Sequence, residues 1–245
     1  MNNNKINITA IIQARLGSTR LPQKIFLPLF DKPILWHVVE RVKKSKLIKN
    51  VIVATTDLEE DDLVENFCIN NNINFFRGSS DDVLSRYYYA AKKFQSDLIV
   101  RITADCPLID SNIIDEVINF YLNNNVDYAS NVLERTFPRG YDTEVFSFNA
   151  LEKAFIEAEN LSEREHVTPF IYNHPDLFKL LSFKHKKDYS FYRLTVDTQE
   201  DYSLIKIIYD SLFIKNNFFG LTEVINFLEN NPELTKINQH IEQKK

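Results

Sequence analysis

Two patterns of apolar and polar positions alternate along the first half of the chain. Short apolar runs predict buried strands, and apolar residues at helical spacing predict amphipathic helices between them. The predicted strands are residues 6–12, 51–54, 73–76, 98–102 and 126–130. The predicted helices are residues 33–42, 56–70, 81–94 and 112–122. Strands that alternate with helices of about ten residues or more predict a largely parallel sheet with right-handed crossovers and helices on both faces.

The pattern changes after residue 130. A turn around Pro138 and Gly140 leads into an alternating strand that ends at Val145. Two more strands, residues 177–183 and 191–196, are predicted to be antiparallel or mixed, and the helices here are residues 150–158, 163–173, 199–212 and 221–229. The fold class expected is α/β, with one three-layer, Rossmann-like domain and a small inserted lid or dimerisation region.

Composition excludes several classes of protein. Of the 245 residues, 44% are hydrophobic and 26% charged, which is typical of a globular domain, and the net charge of −5 argues against a general nucleic-acid binder. The two cysteines, Cys68 and Cys106, are too few for a disulfide framework or a cysteine zinc site. Residues 1–7 are polar, and no apolar run approaches the roughly 20 residues of a membrane helix. We expect a cytoplasmic protein without a membrane segment.

A cationic loop follows the first strand. Residues 13–24 read QARLGSTRLPQK, and Arg15, Arg20 and Lys24 can neutralise phosphate oxygens. Hydroxyls and backbone N–H groups near a glycine can hydrogen-bond the same oxygens, so the loop predicts a polyphosphate site in preference to a solvated basic loop. It is not the Walker pattern, because no Gly-Lys-Ser/Thr closes it. The expected nucleotide contacts in this loop are Ala14, Arg15, Gly17, Ser18, Thr19, Arg20 and Lys24.

Two aspartates follow predicted strands. Asp105 comes directly after one, where a carboxylate projects into a cleft and can bind Mg²⁺; the alternative is a turn or helix cap, a role that Asp110 can fill. Asp197 follows the predicted strand 191–196. Thr198 and Asp201 can form a capping box without Asp197, which leaves it free as a second magnesium ligand, although spacing alone also allows a helix-capping role.

Further candidates lie in the remaining polar loops. Arg77 and Gly78 end the third strand, where a glycine lets the backbone approach a base or ribose, but a turn and helix cap explain them equally well. Thr103 can bond a ribose or simply end its strand. Further on, cationic groups can pair with a carboxylate or phosphate on an acceptor substrate, and a carboxylate or imidazole can orient or deprotonate the attacking hydroxyl. These acceptor candidates are Arg139, Asp142, Glu144, Arg164 and His166.

Ordinary structural roles remain for several of these side chains. Residues 163–166 can form a salt-bridged helix face with Ser162 and Glu165 as a capping box. His37 lies in an amphipathic helix and is expected to pack there. The run 87–89 of three tyrosines is expected in helix packing and a dimer or domain contact.

Together, these motifs resemble the cytidylyltransferases that make CMP-activated acidic sugars. The resemblance is strongest to the spore-coat polysaccharide biosynthesis cytidylyltransferase-like subgroup, which is related to the CMP-3-deoxy-manno-octulosonate synthetases. It covers residues from about 8 to about 209. The segments that carry it, in this order, are 13–24, 53–57, 76–79, 101–110, 138–142, 163–169 and 195–198.

This resemblance implies a nucleotidyltransferase domain over residues 1–245: a nucleotide-binding core at 6–130, an acceptor, lid and dimer region at 131–192, and a return strand with C-terminal helices at 193–230. It also implies a homodimer that transfers CMP from CTP to an acidic sugar with release of pyrophosphate. In the relatives, residues matching Arg15 and Lys24 bind the triphosphate, and those matching Asp105 and Asp197 hold Mg²⁺. Arg15, Lys24 and Asp105 are therefore the expected catalytic residues. Ala104 departs from the family's usual glycine and affects the expected nucleotide fit.

Three other functions fit parts of the sequence. A nucleotidyltransferase can act instead on a sugar phosphate or alcohol phosphate. A glycosyltransferase using a nucleotide sugar is expected to show an Asp-x-Asp motif, whereas residues 103–106 contain one carboxylate. A non-catalytic nucleotide-binding subunit would not need the loop cations together with both aspartates.

Overall fold

The computed structural model describes residues 6–214 and 216–242, in which nine strands and nine α-helices are found. The strands are β1 Ile8–Gln13, β2 Pro28–Leu29, β3 Lys32–Pro33, β4 Asn50–Thr56, β5 Asn74–Gly78, β6 Leu98–Thr103, β7 Tyr128–Ser130, β8 Glu144–Ser147 and β9 Leu180–Ser182. The helices are α1 Ile34–Val42, α2 Asp62–Asn70, α3 Val83–Lys93, α4 Ser111–Leu122, α5 Phe148–Glu157, α6 Leu161–His166, α7 Pro169–Asn173, α8 Gln199–Leu212 and α9 Leu221–Asn230. The domain predicted over residues 1–245 includes residues 1–5, 215 and 243–245, which lie outside this description.

Seven of the strands form one sheet in the order β5-β4-β1-β6-β8-β7-β9. The strands from β5 to β6 are parallel, β8 is antiparallel to both β6 and β7, and β9 is parallel to β7. Strand β1 lies in the middle of the parallel part and is buried on both faces, which explains its continuous apolar run.

Helices cover both faces of the sheet. Along β1, Ala10 and Ile12 belong to the core shared with α1, α4, α8 and α9, whereas Ile11 belongs to the core shared with α3, α5 and α7. This alternation follows from the two-residue period of a strand. The predicted three-layer α/β fold with a mostly parallel sheet is thereby confirmed. None of the helices in the described ranges has the length and apolar character needed to cross a membrane.

Two of the predicted helices differ from the helices found in the structure. The capping box predicted at residues 56–59 is wrong: Thr56 Oγ donates to the Asp61 carboxylate, and a 3-10 turn, Glu59–Asp61, precedes α2. The helix predicted at residues 163–173 is two helices, because Val167 has a φ of +73° between α6 and α7. The predicted Ser162–Glu165 capping box is also wrong, since α6 begins after Asn160.

The return strand predicted at residues 191–196 is wrong. Within the described residues this segment has a single parallel bridge, between Arg139 and Arg193, and belongs to none of the strands. The bridge depends on Gly140, whose φ is +106° and whose Cα lies directly against the backbone of Leu194. Two other predictions are confirmed. His37, in α1, is buried against Tyr209, and the Thr198–Asp201 capping box begins α8.

Candidate active site

A cavity of about 560 Å³ lies at the carboxyl ends of β1 and β6. Ligands of parallel α/β sheets bind at this edge, where the loops after the strands converge. Many residues predicted from sequence line the cavity: Ala14, Arg15, Gly17, Ser18, Thr19, Arg20, Lys24, Thr103, Asp105, Arg139, Asp142, His166 and Asp197. The fold therefore brings the cationic loop, both metal-ligand candidates and part of the acceptor set into one cavity.

The cationic loop is attached to the body of the protein through Asp61. This side chain is fully buried, and its Oδ1 accepts a hydrogen bond of 2.8 Å from the backbone N–H of Leu16. Its Oδ2 accepts from the backbone N–H and hydroxyl of Thr56 at the end of β4. At the other end of the loop, Gln23 adopts a left-handed conformation, with φ 54°, and starts the 3-10 turn that carries Lys24. Both ends of the loop are thus fixed.

We expect Asp61→Asn to lower the free energy of unfolding by about 1–3 kcal/mol, because an amide cannot accept at both positions and leaves a buried N–H unpaired. The released loop should also bind CTP more weakly. Urea unfolding and calorimetric CTP titration measure the two effects. Asp62→Asn is the matched control, since Asp62 is exposed and its ion pair with Arg77 contributes little. Equal free energies of unfolding and equal CTP affinities in the two variants would contradict the role given to Asp61.

Lys24 joins the two aspartates. Its Nζ lies 2.6 Å from Asp105 Oδ2 and 2.7 Å from Asp197 Oδ1. Burial lowers the pKa of Lys24, but attraction to the two carboxylates and hydrogen bonds with them outweigh burial and leave the pKa raised. Burial raises the pKa of Asp105, but the Lys24 ammonium outweighs it and brings that pKa to about 2. Lys24 and Asp105 are consequently both charged at neutral pH.

Two arginines contact the second carboxylate oxygen of Asp197. Its Oδ2 lies 3.0 Å from Arg20 Nη2 and 2.9 Å from Arg193 Nη2. Arg193 is in turn fixed by the fully buried Asp201, which accepts from its Nε at 2.8 Å. Thr198 caps α8, so the helix-capping role that spacing allowed for Asp197 is taken by its neighbour.

The pair Asp105 and Asp197 fits a magnesium ion that is bound together with a nucleotide. Both carboxylates contact the same ammonium group, so one small cation can reach both. Among the described residues, no group of three or more His, Cys, Asp or Glu side chains forms a complete metal cage. Mg²⁺ commonly binds through one or two carboxylates and completes its coordination with water and substrate phosphates. The donor set matches that mode of binding.

The cavity lining also contains an arginine that does not belong to the cationic loop. Arg139 lies there half-buried, and burial lowers the pKa of its guanidinium, with Arg135 lowering it further. Asp142 does not fully neutralise the positive charge of Arg135 and Arg139, because both of its carboxylate oxygens accept hydrogen bonds from Arg135, at 2.6 and 2.8 Å. Arg139 is therefore available for an anionic group of a ligand.

Glu144 and Arg164 lie outside the lining of this cavity. Glu144 is buried and accepts from Arg101 and, at 2.6 Å, from the Tyr128 hydroxyl. Arg164 contacts the Asp82 carboxylate and donates from Nη1 to the Phe155 carbonyl at 2.8 Å. Both side chains already have structural partners, so their predicted acceptor contacts gain no support from the geometry.

Arg77 and Gly78 also lie outside the cavity lining. Arg77 Nη1 is 2.6 Å from carboxylate oxygens of both Asp62 and Glu65, and its Nε donates to the Thr56 carbonyl. Gly78 ends β5 and lies against the stem of Arg86. Their nucleotide contacts remain predictions from sequence.

His166 reaches the cavity wall through a strained turn. The Thr168 N–H donates to the His166 carbonyl at 2.9 Å, and the intervening Val167 has a φ of +73°, which makes this a γ-turn. Positive φ is costly for a β-branched residue, but Val167 is fully buried in the core against α3 and α5. Core packing thus holds the exposed imidazole of His166 beside the cavity.

Sequence reasoning missed Arg86 and Gln13. Both line the cavity, and the Tyr87 hydroxyl contacts Gln13 Oε1 at 3.4 Å. Arg86 lies one helical turn after Val83, another lining residue, so the only signal available in the sequence was this spacing on a predicted helix.

A cationic loop opposite two carboxylates, at the carboxyl edge of a parallel sheet, is suited to a nucleotidyltransferase. The sequence model described as Cytidylyltransferase matches residues 9–243. The chain therefore belongs to the cytidylyltransferase family.

Relatives and solved structures agree with this family. The chain is 35% identical over 234 residues to the spore coat polysaccharide biosynthesis protein SpsF of Bacillus subtilis, covering 93% of this chain and 96% of the relative. It is 36% identical to a 3-deoxy-manno-octulosonate cytidylyltransferase of Geobacter metallireducens over 113 residues, 46% of this chain and 44% of that one. The structure of a cytidylyltransferase from Leptospira borgpetersenii superposes with a TM-score of 0.90 at 38% identity, covering 98% of this chain and 100% of the other.

A more distant structure shares the fold alone. It is a CMP:2-keto-3-deoxy-manno-octonic acid synthetase complexed with CTP, with a TM-score of 0.64 and 17% identity over 82% of this chain and 98% of the other.

Proposed function

We propose that this enzyme transfers CMP from CTP to a hydroxyl of an acidic sugar or similar acidic acceptor, with Mg²⁺ and release of pyrophosphate, in surface-polysaccharide synthesis. The single observation that carries the proposal is Lys24, which contacts Asp105 and Asp197 from the cationic loop. This arrangement places cations that can bind phosphate beside carboxylates that can bind magnesium, in one cavity. Arg139, which lines the same cavity, supports an anionic acceptor.

The residues divide the chemical work between phosphate and acceptor. Nucleotidyl transfer places negative charge on the α-phosphate and on the leaving pyrophosphate. Arg15, Arg20 and Lys24 would stabilise this charge by donating to phosphate oxygens. A magnesium ion held by Asp105 and Asp197 would supply additional charge neutralisation.

The acceptor side needs an anchor and a proton acceptor. Arg139 would bind the carboxylate of the acceptor by charge-assisted hydrogen bonds and bring its hydroxyl toward the α-phosphate. His166, exposed on the cavity wall, would orient that hydroxyl or take its proton. Asp142 is bonded to Arg135 and would act by positioning that arginine beside Arg139.

Pyrophosphate release tests this proposal. The enzyme is incubated with Mg²⁺, each of the four ribonucleoside triphosphates, and parallel panels of acidic sugars and sugar phosphates. We expect release with CTP and an acidic sugar. Release only with a sugar phosphate would favour the diphosphate-forming alternative, and the absence of release with every acceptor would favour a binding subunit.

We expect Arg139→Met to raise the KM for the acidic acceptor about tenfold to a hundredfold, because a charge-assisted contact is lost, and to leave the KM for CTP unchanged. Steady-state kinetics with each substrate varied in turn separate the two constants. Lys187→Met is the matched control, since it removes an exposed cation whose partner is Glu229. A rise in the KM for CTP alone would assign Arg139 to the nucleotide.

We further propose that the enzyme is a cytoplasmic homodimer. Exposed apolar side chains on three packed helices support a contact between copies: Tyr89 on α3 is 49% exposed, Ile156 on α5 71% and Leu161 on α6 87%. Analytical ultracentrifugation of the wild type and of Ile156→Asp measures the oligomeric state directly.

A further inference from the structure

One of the arginines that line the cavity is buried. Arg86 is only 2% exposed, and among the described residues its Nε and Nη1 atoms have no hydrogen-bond partner. Burial lowers the pKa of its guanidinium, and nearby Arg15 contributes in the same direction. Leaving a buried charged group unsatisfied costs free energy, and native proteins rarely do so without a reason. A ligand that accepts hydrogen bonds supplies that reason.

Arg86 lies towards β5, in a different part of the cavity from the two metal-ligand candidates. It is in the first turns of α3, and a Cβ placed on Gly78 at the end of β5 would be 3.4 Å from Arg86 Cγ. Lys24 and Asp105, by contrast, meet at the end of β6, and β4 and β1 separate β5 from β6. A nucleotide whose phosphates contact Lys24 therefore has its base available to Arg86.

The surroundings of Arg86 favour a neutral group over a phosphate. Arg15 adds positive charge near Arg86, but the carboxylates of Asp57 and Asp61 act on Arg86 with the opposite sign and would repel a phosphate placed against it. Val83 lies one helical turn earlier and gives the same part of the cavity an apolar surface. A flat, uncharged ring with hydrogen-bond acceptors on one edge matches this combination.

A guanidinium group only donates hydrogen bonds, in a planar fork. Cytosine presents two adjacent acceptors, O2 and N3, on its pairing edge. Uracil has the same O2 but carries a hydrogen on N3, so an N–H of the arginine would face another N–H. A buried arginine can therefore prefer cytosine through both an attractive and a repulsive contact.

We propose that Arg86 selects the base of the nucleotide by donating to O2 and N3 of cytosine, an inference that rests on the proposed cytidylyltransfer. Arg86 is then a specificity-determining residue. The bound base would supply acceptors to a guanidinium whose Nε and Nη1 have none among the described residues.

Calorimetric titration of CTP, UTP and GTP into wild type, Arg86→Met and Arg86→Lys tests this inference. We expect the wild type to prefer CTP, and Arg86→Met to bind CTP about tenfold or more weakly and to lose its preference over UTP, with UTP binding little changed. Arg86→Lys keeps the charge without the planar fork and should lose the same preference. Lys93→Met, which removes an exposed cation from the last turn of α3, should bind like the wild type.

Thermal unfolding without nucleotide separates this role from a structural one. Since Arg86→Met removes an unpaired buried charge, its Tm should equal or exceed that of the wild type. If Arg86→Met does not fold, the base preference of Arg86→Lys alone decides.

Several results would overturn the inference. Retained preference for CTP in both Arg86 variants would show that other groups select the base, while cytidylyltransfer would stand. Equal weakening of CTP and UTP would assign Arg86 to the phosphates. A wild type that binds no CTP, or prefers GTP, would overturn the proposed function itself and this inference with it.

Discussion

Lys24→Met is expected to reduce pyrophosphate release from CTP by about a hundredfold to a thousandfold, the effect typical of losing one donor to a developing negative charge. Among the described residues, Lys24 is the one cation that contacts both Asp105 and Asp197, at 2.6 and 2.7 Å. Its ammonium is also the loop cation nearest the carboxylates that would hold magnesium. Removing it takes away a phosphate donor and leaves two carboxylates without their shared partner.

The same substitution gives a second readout that does not depend on turnover. In the nucleotide-free protein, the Lys24 ammonium occupies the position between the carboxylates that a metal cation would take. Lys24→Met should therefore bind Mn²⁺, used as a paramagnetic probe for Mg²⁺, more tightly than the wild type when no nucleotide is present. Electron paramagnetic resonance measures the free Mn²⁺, and circular dichroism checks that the fold is intact.

Two companion variants complete this test. Asp105→Ala should lose pyrophosphate release to a similar extent but bind Mn²⁺ less tightly than Lys24→Met, because one metal ligand is gone. Lys206→Met is the matched control, since that exposed lysine pairs with Asp210 on α8. Wild-type rates of pyrophosphate release in both Lys24→Met and Asp105→Ala would refute the site assignment.

Gly140→Ala is expected to lower the free energy of unfolding by about 4 kcal/mol or more, a loss that marks a severe backbone conflict. Gly140 has a φ of +106°, and an added Cβ would lie 2.3 Å from the Leu194 carbonyl oxygen and 2.6 Å from its carbon. Both clashing atoms are backbone, so no side-chain rotation relieves them. The backbone must move, and the Arg139–Arg193 bridge beside it must break.

This substitution should also disturb the site, because Arg139 precedes Gly140 and Asp197 follows Leu194 closely. Urea unfolding measures the stability, and CTP titration of the folded fraction measures the site. Gly17→Ala is the control for stability: its Cβ would meet only the end of the Glu60 side chain, at 2.9 Å, and that side chain can rotate away. Equal stability losses in the two variants would contradict the backbone argument.

The sequence predicted the parallel half of the fold well, for a physical reason. Strand β1 is buried on both faces, so its apolar run is continuous and ends where the polar loop begins. Because parallel strands end at one edge, placing Lys24 after β1 and Asp105 after β6 was enough to predict that they meet, although they are 81 positions apart.

The antiparallel half was harder to predict. Arg101 and Glu144 occupy paired positions on β6 and β8, so they neutralise one another inside the protein. Without that register, Glu144 looked like an acidic side chain free for catalysis. Tyr192, Leu194 and Val196 pack in the core, yet the segment 191–196 pairs with the turn at Gly140 instead of forming a strand. The hydrophobic periodicity of the sequence reveals neither the Arg101–Glu144 ion pair nor the fact that residues 191–196 do not form a strand.

Arg86 could not be identified from sequence for a different reason. An arginine on an amphipathic helix is usually solvated, and nothing in its neighbours distinguishes a buried one. Only the packing of α3 beneath β5 shows that its guanidinium is buried and unpartnered among the described residues. Its importance depends on tertiary structure alone.

Phosphorus-31 nuclear magnetic resonance of the reaction products tests the central claim, transfer of CMP to an acidic acceptor, most directly. The reaction contains the enzyme, CTP, Mg²⁺ and an acidic sugar that supports pyrophosphate release. Transfer of CMP predicts one phosphodiester signal from CMP joined to the sugar, with an equal amount of pyrophosphate. Signals of a diphosphate-linked product, or of CMP and pyrophosphate without a sugar adduct, would contradict it.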